Sequence, residues 1–327
     1  MGKQNKIGQF REKILTHMDG RFNTKAPENL YEPISYILGL GGKRMRPVLT
    51  LMSVDVFEGS IEDALDASLA IEMFHNFSLV HDDIMDDAPL RRGKVTVHEK
   101  WDINTGILSG DAMLIKSYQL FERYEPQMFK RLISLFSQTA IEVCEGQQYD
   151  VDFETRNNVT ISEYLKMIEY KTAVLVATSL KMGAIISGAS DSDANLIYEF
   201  GRNLGIAFQL QDDYLDAFGD PKTFGKQVGG DIIENKKTIL YLKALEFASS
   251  DDKADLEKLF SEKPKNPEQK IERAKVIFQK SGSVDFLRKE IENYTQLAFE
   301  SLQKISVSDE NKMLLEEFGK QLMERTI

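Results

Sequence analysis

The stretch from His75 to Gly93, HNFSLVHDDIMDDAPLRRG, constrains this chain more than any other. It sets four aspartates, Asp82, Asp83, Asp86 and Asp87, directly ahead of two adjacent arginines, Arg91 and Arg92. On a helix, Asp82 and Asp86 stand one turn apart on the same face, where two like charges repel. A divalent cation removes the conflict. Further along, Gln209–Asp220, QLQDDYLDAFGD, repeats the spacing with Asp212, Asp213 and Asp216. A single acidic motif is an ordinary solvated helix end. Two copies, each preceded by an apolar helix-like run and each followed by basic residues, predict two helices that face each other and bind metal.

The rest of the chain favours long helices. There are only eight prolines, and the glycines cluster at apparent helix ends. Helical apolar spacing runs through Ile61–Leu79, Met128–Glu145, Ile161–Ile186, Leu196–Leu215 and Phe286–Ile305. No segment alternates with period two between turn signals, so no sheet is expected. Breaks fall at Gly39–Pro47, Asp87–Gly93, Thr155–Thr160, Gly219–Gly230 and Ser249–Glu268, the last reading as a surface helix and loop. Ser192–Ala217 is apolar on most sides and is expected at the centre. Small residues along Leu175–Gly188 allow close helix approach or a cavity wall. With 327 residues and no linker, the expectation is one all-α domain, residues 1–327, of roughly ten helices or more.

Composition excludes several function classes. The net charge of −11 is unsuited to general nucleic-acid binding, although a locally basic site could still take an anionic substrate. One cysteine, Cys144, precludes an internal disulfide and a zinc-cysteine cluster, and four scattered histidines argue against a transition-metal centre. The first residues lack the apolar core of a secretory signal, and no run has the length of a membrane span. The expected location is cytoplasmic.

Six carboxylates converging on one cavity suit Mg²⁺, a hard cation that completes its shell with water and substrate phosphate. Neither motif has the ligand alternation of an EF-hand. The basic residues are placed to match. Gly41–Pro47, GGKRMRP, puts Lys43, Arg44 and Arg46 on a glycine-opened turn entering a helix. Cations are unfavourable at that end of the helix dipole, so an anionic ligand accounts for them. Arg91 and Arg92 follow the first cluster, and Lys222, Lys226, Lys236 and Lys237 follow the second. Metal, phosphate and cation together describe a diphosphate site. Lys171 and Thr172 begin an apolar helix, Gln209 lies three residues before Asp212, and His75 sits two turns below Asp82 on the same face. His98 and Trp101 read as residues that hold a loop in place.

With these residues assembled, the chain resembles the trans-isoprenyl diphosphate synthases, the family of farnesyl and geranylgeranyl diphosphate synthases (polyprenyl synthetases). The resemblance runs from about Leu38 to Thr238 with the motifs in family order. It implies an all-α bundle around a deep central cavity, the isoprenoid synthase fold, usually as a homodimer. It implies head-to-tail condensation of isopentenyl diphosphate with a dimethylallyl, geranyl or farnesyl diphosphate, with about three Mg²⁺ ions per active site as Lewis acids. In that chemistry the allylic C–O bond ionises, the isopentenyl double bond attacks the cation, and a proton is lost to the departing diphosphate. By the same resemblance Asp82, Asp83 and Asp86 form one metal cluster, and Asp212, Asp213 and Asp216 the other. Lys43, Arg46, His75 and Arg92 match the isopentenyl diphosphate contacts, and Arg91, Lys171, Lys226 and Lys236 the allylic ones. Thr172 and Gln209 sit where the family stabilises developing positive charge.

Product length should follow what lies below Asp82, at about 5.4 Å per helical turn. In the family, two aromatics there, or one aromatic with an insertion in the motif, go with farnesyl products. Here Phe77 is followed by Ser78 with no insertion, which resembles the archaeal-type geranylgeranyl pattern, and Phe74 is the candidate floor. The expectation is a geranylgeranyl diphosphate product, with farnesyl diphosphate the alternative. Terpene cyclases, which are lyases, share the first motif but do not need a second diphosphate site. A non-catalytic partner subunit would have lost motif residues, and none is missing.

Overall fold

The computed structural model describes residues 3–22, 25–220, 228–261 and 266–324. It is all-α. The helices are α1 (Lys3–Met18), α2 (Glu28–Gly39), α3 (Met45–Val56), α4 (Leu65–Met85), α5 (Ile103–Gln119), α6 (Pro126–Thr155), α7 (Ile161–Ile168), α8 (Val174–Ile186), α9 (Asp191–Phe218), α10 (Ile239–Phe247), α11 (Ser250–Leu259), α12 (Pro267–Ser281), α13 (Ser283–Gln303) and α14 (Asp309–Met323). One-turn helices at Val97–Lys100 and Gly230–Ile233 accompany them. Among the described residues, no helix is long and apolar enough to cross a membrane.

Local chemistry sets the ends. Asp102 accepts from the Thr105 N–H (2.8 Å) at the start of α5. Thr160 and Glu163 close a capping box at the start of α7. Asn266 caps α12, with Pro267 in its first turn. The expected sheet-free chain needs one correction. Leu90–Arg91 and Lys94–Val95 pair as a short antiparallel ribbon. Its two-residue loop is Arg92-Gly93, both at positive φ, the geometry a tight hairpin turn requires. Two strand residues on each side are too few to show a period-two pattern.

The chain divides into two compact units, one taking the residues up to Ser137 with Thr178–Asn195 and Val307–Leu314, the other the remainder. In the first unit α4 is the central element, packed against α3 and α5. It is buried on most sides, from Ala67 and Leu69 to Phe77 and Val80. Phe74 anchors an aromatic cluster, edge-on to Phe136 at 5.3 Å, which in turn meets Tyr118 and Phe121 at 5.0 Å. In the second unit Ile206, Leu210 and Tyr214 of α9 share a core with α7, α10, α12 and α13.

The helical spacing over Ile161–Ile186 spans two α-helices and the turn that joins them. Glu169–Ala173 form a π-helical turn between α7 and α8, so Lys171 and Thr172 lie in a wide turn and not at a helix start. Such turns insert a residue into the helical ladder and occur often at functional sites. Gly146 of α6 makes room for it, since a Cβ there would come within 2.3 Å of the Lys171 backbone nitrogen.

Candidate active site

The first acidic motif closes α4. Asp82 and Asp83 occupy its last turn, and the Asp86 N–H donates to the Asp82 carbonyl (2.9 Å) as the C-cap. The negative end of the helix dipole lies here, so carboxylates gain nothing from the helix and are held for another reason. Asp82 is half-buried and Asp86 exposed, while neighbouring Asp83 turns inward and is buried. Asp83 Oδ1 accepts from Arg91 Nε (2.8 Å). Burial pushes the Asp83 carboxyl above its ordinary value, against the pull of Arg91. Arg91, expected at the allylic diphosphate, is thus bonded to a member of the acidic motif and fixes the hairpin to α4.

The basic turn lies in the same unit. Gly41 and Gly42 both have positive φ, and a Cβ on Gly42 would come within 2.8 Å of the Arg92 guanidinium carbon. Arg92 uses that space to donate to the Gly41 carbonyl. Arg46 Nη1 donates to His75 Nε2 (3.1 Å), so the imidazole accepts and is neutral. Burial, reinforced by Arg46, Arg92, Arg91 and Arg44, holds His75 well below its usual range. Arg46 is lowered as well, first by burial and then by Arg92, with Glu72 opposing. Arg46, Arg92 and neutral His75 therefore form a patch with surplus positive charge, which an anion relieves. Lys43 is exposed beside it. Arg44 departs from the expectation for this turn: it is buried and donates to Glu72 and the Leu38 carbonyl. Its charge is used inside the fold.

Below Asp82, Phe77 meets His81 edge-on at 4.8 Å and Phe74 at 5.5 Å. The Ser78 hydroxyl donates to the His75 carbonyl (2.9 Å), leaving a small, low-polarity surface on α4. Phe136 and Tyr118 continue the aromatic floor under Phe74. Sequence reasoning does not find them, because they come from other helices with no spacing relation to the motif.

The second motif lies inside α9 and is more enclosed. Asp213 is buried, accepting from the Tyr164 hydroxyl and from Gln209 Nε2 (3.4 Å). Burial and then Asp231 raise it well above the usual carboxylate range. Asp216 is pushed up to about 6 by burial and Asp231, whose N–H donates to Asp216 Oδ2 (3.0 Å). The Thr172 hydroxyl donates to Gln209 Oε1 (3.5 Å), and Lys171 Nζ donates to Asp150 Oδ2 (2.5 Å). The π turn thereby brings Thr172, Gln209 and Asp213 into one hydrogen-bonded line. Lys236 is exposed, and it is raised against the pull of desolvation because Asp231 (3.6 Å) and Glu234 (3.0 Å) favour its charge. Lys222 and Lys226 lie outside the described residues.

Asp231, Asp150 and Tyr164 are additions to the expected set. Only Asp231 carries a sequence signal, the first of two acids in the GGDIIENKK run otherwise read for its lysines. Donor chemistry fits a hard cation. Asp82, Asp86, Asp212 and Asp216 offer only carboxylate oxygens at partly exposed positions, and the raised Asp216 marks negative charge short of compensation.

Comparison with known proteins gives the family. Residues 27–277 match the polyprenyl synthetase family model. A geranylgeranyl diphosphate synthase of Sulfolobus acidocaldarius is 41% identical over 281 residues, 85% of this chain and 84% of that protein. A geranylfarnesyl diphosphate synthase of Natronomonas pharaonis is 36% identical across 99% of this chain and 98% of its own length. A crystal structure of a geranylgeranyl pyrophosphate synthase superposes with a TM-score of 0.93 at 52% identity, covering 98% of this chain and 99% of that one. The chain belongs to the polyprenyl synthetase family.

Proposed function

We propose that this protein is a short-chain trans-prenyltransferase that condenses isopentenyl diphosphate head-to-tail with an allylic diphosphate to give geranylgeranyl diphosphate. The observation that carries the reading is the pair of carboxylate clusters, each with its own cations in the same unit. In this reading the whole chain works as one synthase domain, and each cluster holds Mg²⁺ against a substrate diphosphate. Bound Mg²⁺ would supply Lewis-acid neutralisation of the departing diphosphate.

The protein's own residues do the rest. Arg46 and Arg92 take the isopentenyl diphosphate by charge-assisted hydrogen bonds. Neutral His75 keeps Arg46 oriented without adding a proton to the site. As the allylic C–O bond breaks, the hydroxyl of Thr172 and the amide of Gln209 set oxygen dipoles against the cation, and Tyr164 keeps Asp213 in line with them. The isopentenyl double bond then attacks, and the proton is lost to the departing diphosphate.

Product length follows from Ser78, whose small side chain leaves α4 open below Asp82 until the aromatic floor at Phe74. The geranylgeranyl diphosphate synthases among the relatives support this length, and the geranylfarnesyl relative makes a longer product the nearest competitor. We also assign a homodimer, supported by Ile103, Ile107, Leu108 and Ile115, a row of exposed apolar side chains on α5. Chain-length analysis of products made from isopentenyl diphosphate and an allylic primer in Mg²⁺ tests the activity and the length together. A twenty-carbon main product is expected. A fifteen-carbon sole product overturns the length, and turnover of the allylic diphosphate alone to a cyclised product overturns the class.

A further inference from the structure

Beside the first motif, three side chains converge that the proposed reaction does not use. Asp87, at φ 48, follows the acidic motif directly. His98 and Glu99 lie on the one-turn helix Val97–Lys100. One ring nitrogen of His98 and one carboxylate oxygen from each of Asp87 and Glu99 lie within 4.8 Å of one another. The two carboxylates are exposed, but His98 is only 8% exposed. Both of its ring nitrogens are buried without a hydrogen-bond partner among the described residues, and Glu99 Oε1 stands off Nε2 at 3.8 Å.

A buried imidazole with neither nitrogen satisfied is costly. Two carboxylates at its side, too far to hydrogen-bond and close enough to share a cation, point to the missing partner. The exposed acids need only small rotations to close around it. One imidazole and two carboxylates differ from the all-oxygen sets that suit Mg²⁺, and nitrogen ligation favours Zn²⁺ and its first-row neighbours. We infer that Asp87, His98 and Glu99 form a site for a divalent transition metal, with water completing the shell on the exposed side. Occupied, it ties the residue after the acidic motif to the helix beyond the hairpin. The loop that carries Arg91 and Arg92 is thereby held at both ends.

Zn²⁺ titration calorimetry of the full chain, in excess Mg²⁺ so that the aspartate clusters are occupied, tests the site. One Zn²⁺ per chain is expected. Asp87→Asn and Glu99→Gln should each weaken binding by more than about tenfold. Both side chains are exposed, so the zinc-free thermal midpoints should match wild type. Co²⁺ in place of Zn²⁺ should give a visible absorption band that His98→Gln removes. Absence of Zn²⁺ binding above the Mg²⁺ background overturns the inference, as does binding that neither carboxylate variant weakens. The prenyltransferase assay runs in Mg²⁺ without zinc, so failure here leaves that reading standing.

Discussion

The two aspartate motifs share a spacing and little else. The α4 motif sits at a helix end, with Asp86 exposed, Asp82 half-buried and Asp83 diverted to Arg91. The α9 motif lies within a helix, with Asp213 buried against Tyr164 and Asp216 raised beside Asp231. The first therefore has a guanidinium at hand, whereas the second is a group of acids pressing on one another. Identical sequence patterns yield one cluster partnered by a guanidinium and one crowded by a further carboxylate, because burial and neighbouring charge set the ionisation and spacing alone does not. If both hold Mg²⁺ for the same reaction, they should respond alike to loss of a ligand and differently to pH.

Loss of a ligand is the largest expected effect. Asp82→Asn and Asp216→Asn should each lower kcat by about 10²–10³-fold, the scale for removing one element of preorganised charge stabilisation. Circular dichroism should show both variants folded. A drop of less than about tenfold for Asp216→Asn, with a full loss for Asp82→Asn, would leave the α4 motif as the single working one.

The arginines after the first motif sharpen the contrast. Arg91→Ala leaves the Asp83 carboxylate buried and unpaired, and should cost about 1–3 kcal/mol in urea unfolding. Arg92→Ala removes a partner of the Gly41–Gly42 turn, and should raise KM for isopentenyl diphosphate with stability nearly unchanged. Adjacent arginines would then divide into one that fixes the hairpin and one that binds substrate. Equal effects of both variants on KM would undo that division.

How much of this is legible in the sequence depends on the range of the contacts. Helix content, both motifs and the break at Thr155–Thr160 follow from residues within a turn or two of each other. The π turn at Glu169–Ala173 does not. Its apolar residues keep an almost helical spacing, and the widening is accommodated by Gly146, more than twenty residues away. Asp231 escapes notice because a glycine-rich loop has no periodic face on which to place it. Arg44 resembles Arg46 in sequence, yet Glu72, a distant residue on α4, takes one of them into the core.

Asp216 gives the pH test. Its folded value of about 6 lies above that of an unfolded aspartate, so the metal-free fold binds the proton more tightly than the unfolded chain does. The stability it contributes is present below about pH 4 and lost as pH rises through about 6. The difference in thermal midpoint between wild type and Asp216→Asn should therefore change across that window. Asp231→Asn removes one of the raising charges, so the acid limb of Mg²⁺ binding should move to lower pH. An unmoved limb would mean that burial alone sets the Asp216 value. Variants of Asp82 should leave that limb where it is.

The smallest effect on rate and the clearest on product is expected below Asp82. The α4 motif stands above Ser78 and the aromatic group of Phe77, Phe74 and Phe136. A tail extending down this face passes Ser78 about one helical turn below the aspartates. Ser78→Phe places a ring there and gives up the Ser78 hydroxyl's bond to the His75 carbonyl, leaving the Asp82, Arg46 and His75 side chains in place. Diphosphate release should stay within a fewfold of wild type while the main product shortens to fifteen carbons. Phe74→Ala acts at the other end of the same path, removing the floor, and should lengthen the product at a packing cost of about 3–5 kcal/mol. If Ser78→Phe leaves the distribution unchanged while Phe74→Ala lengthens it, the tail runs past another face of α4 and meets only the floor. If neither moves it, α4 holds the head of the substrate and has no part in measuring its tail.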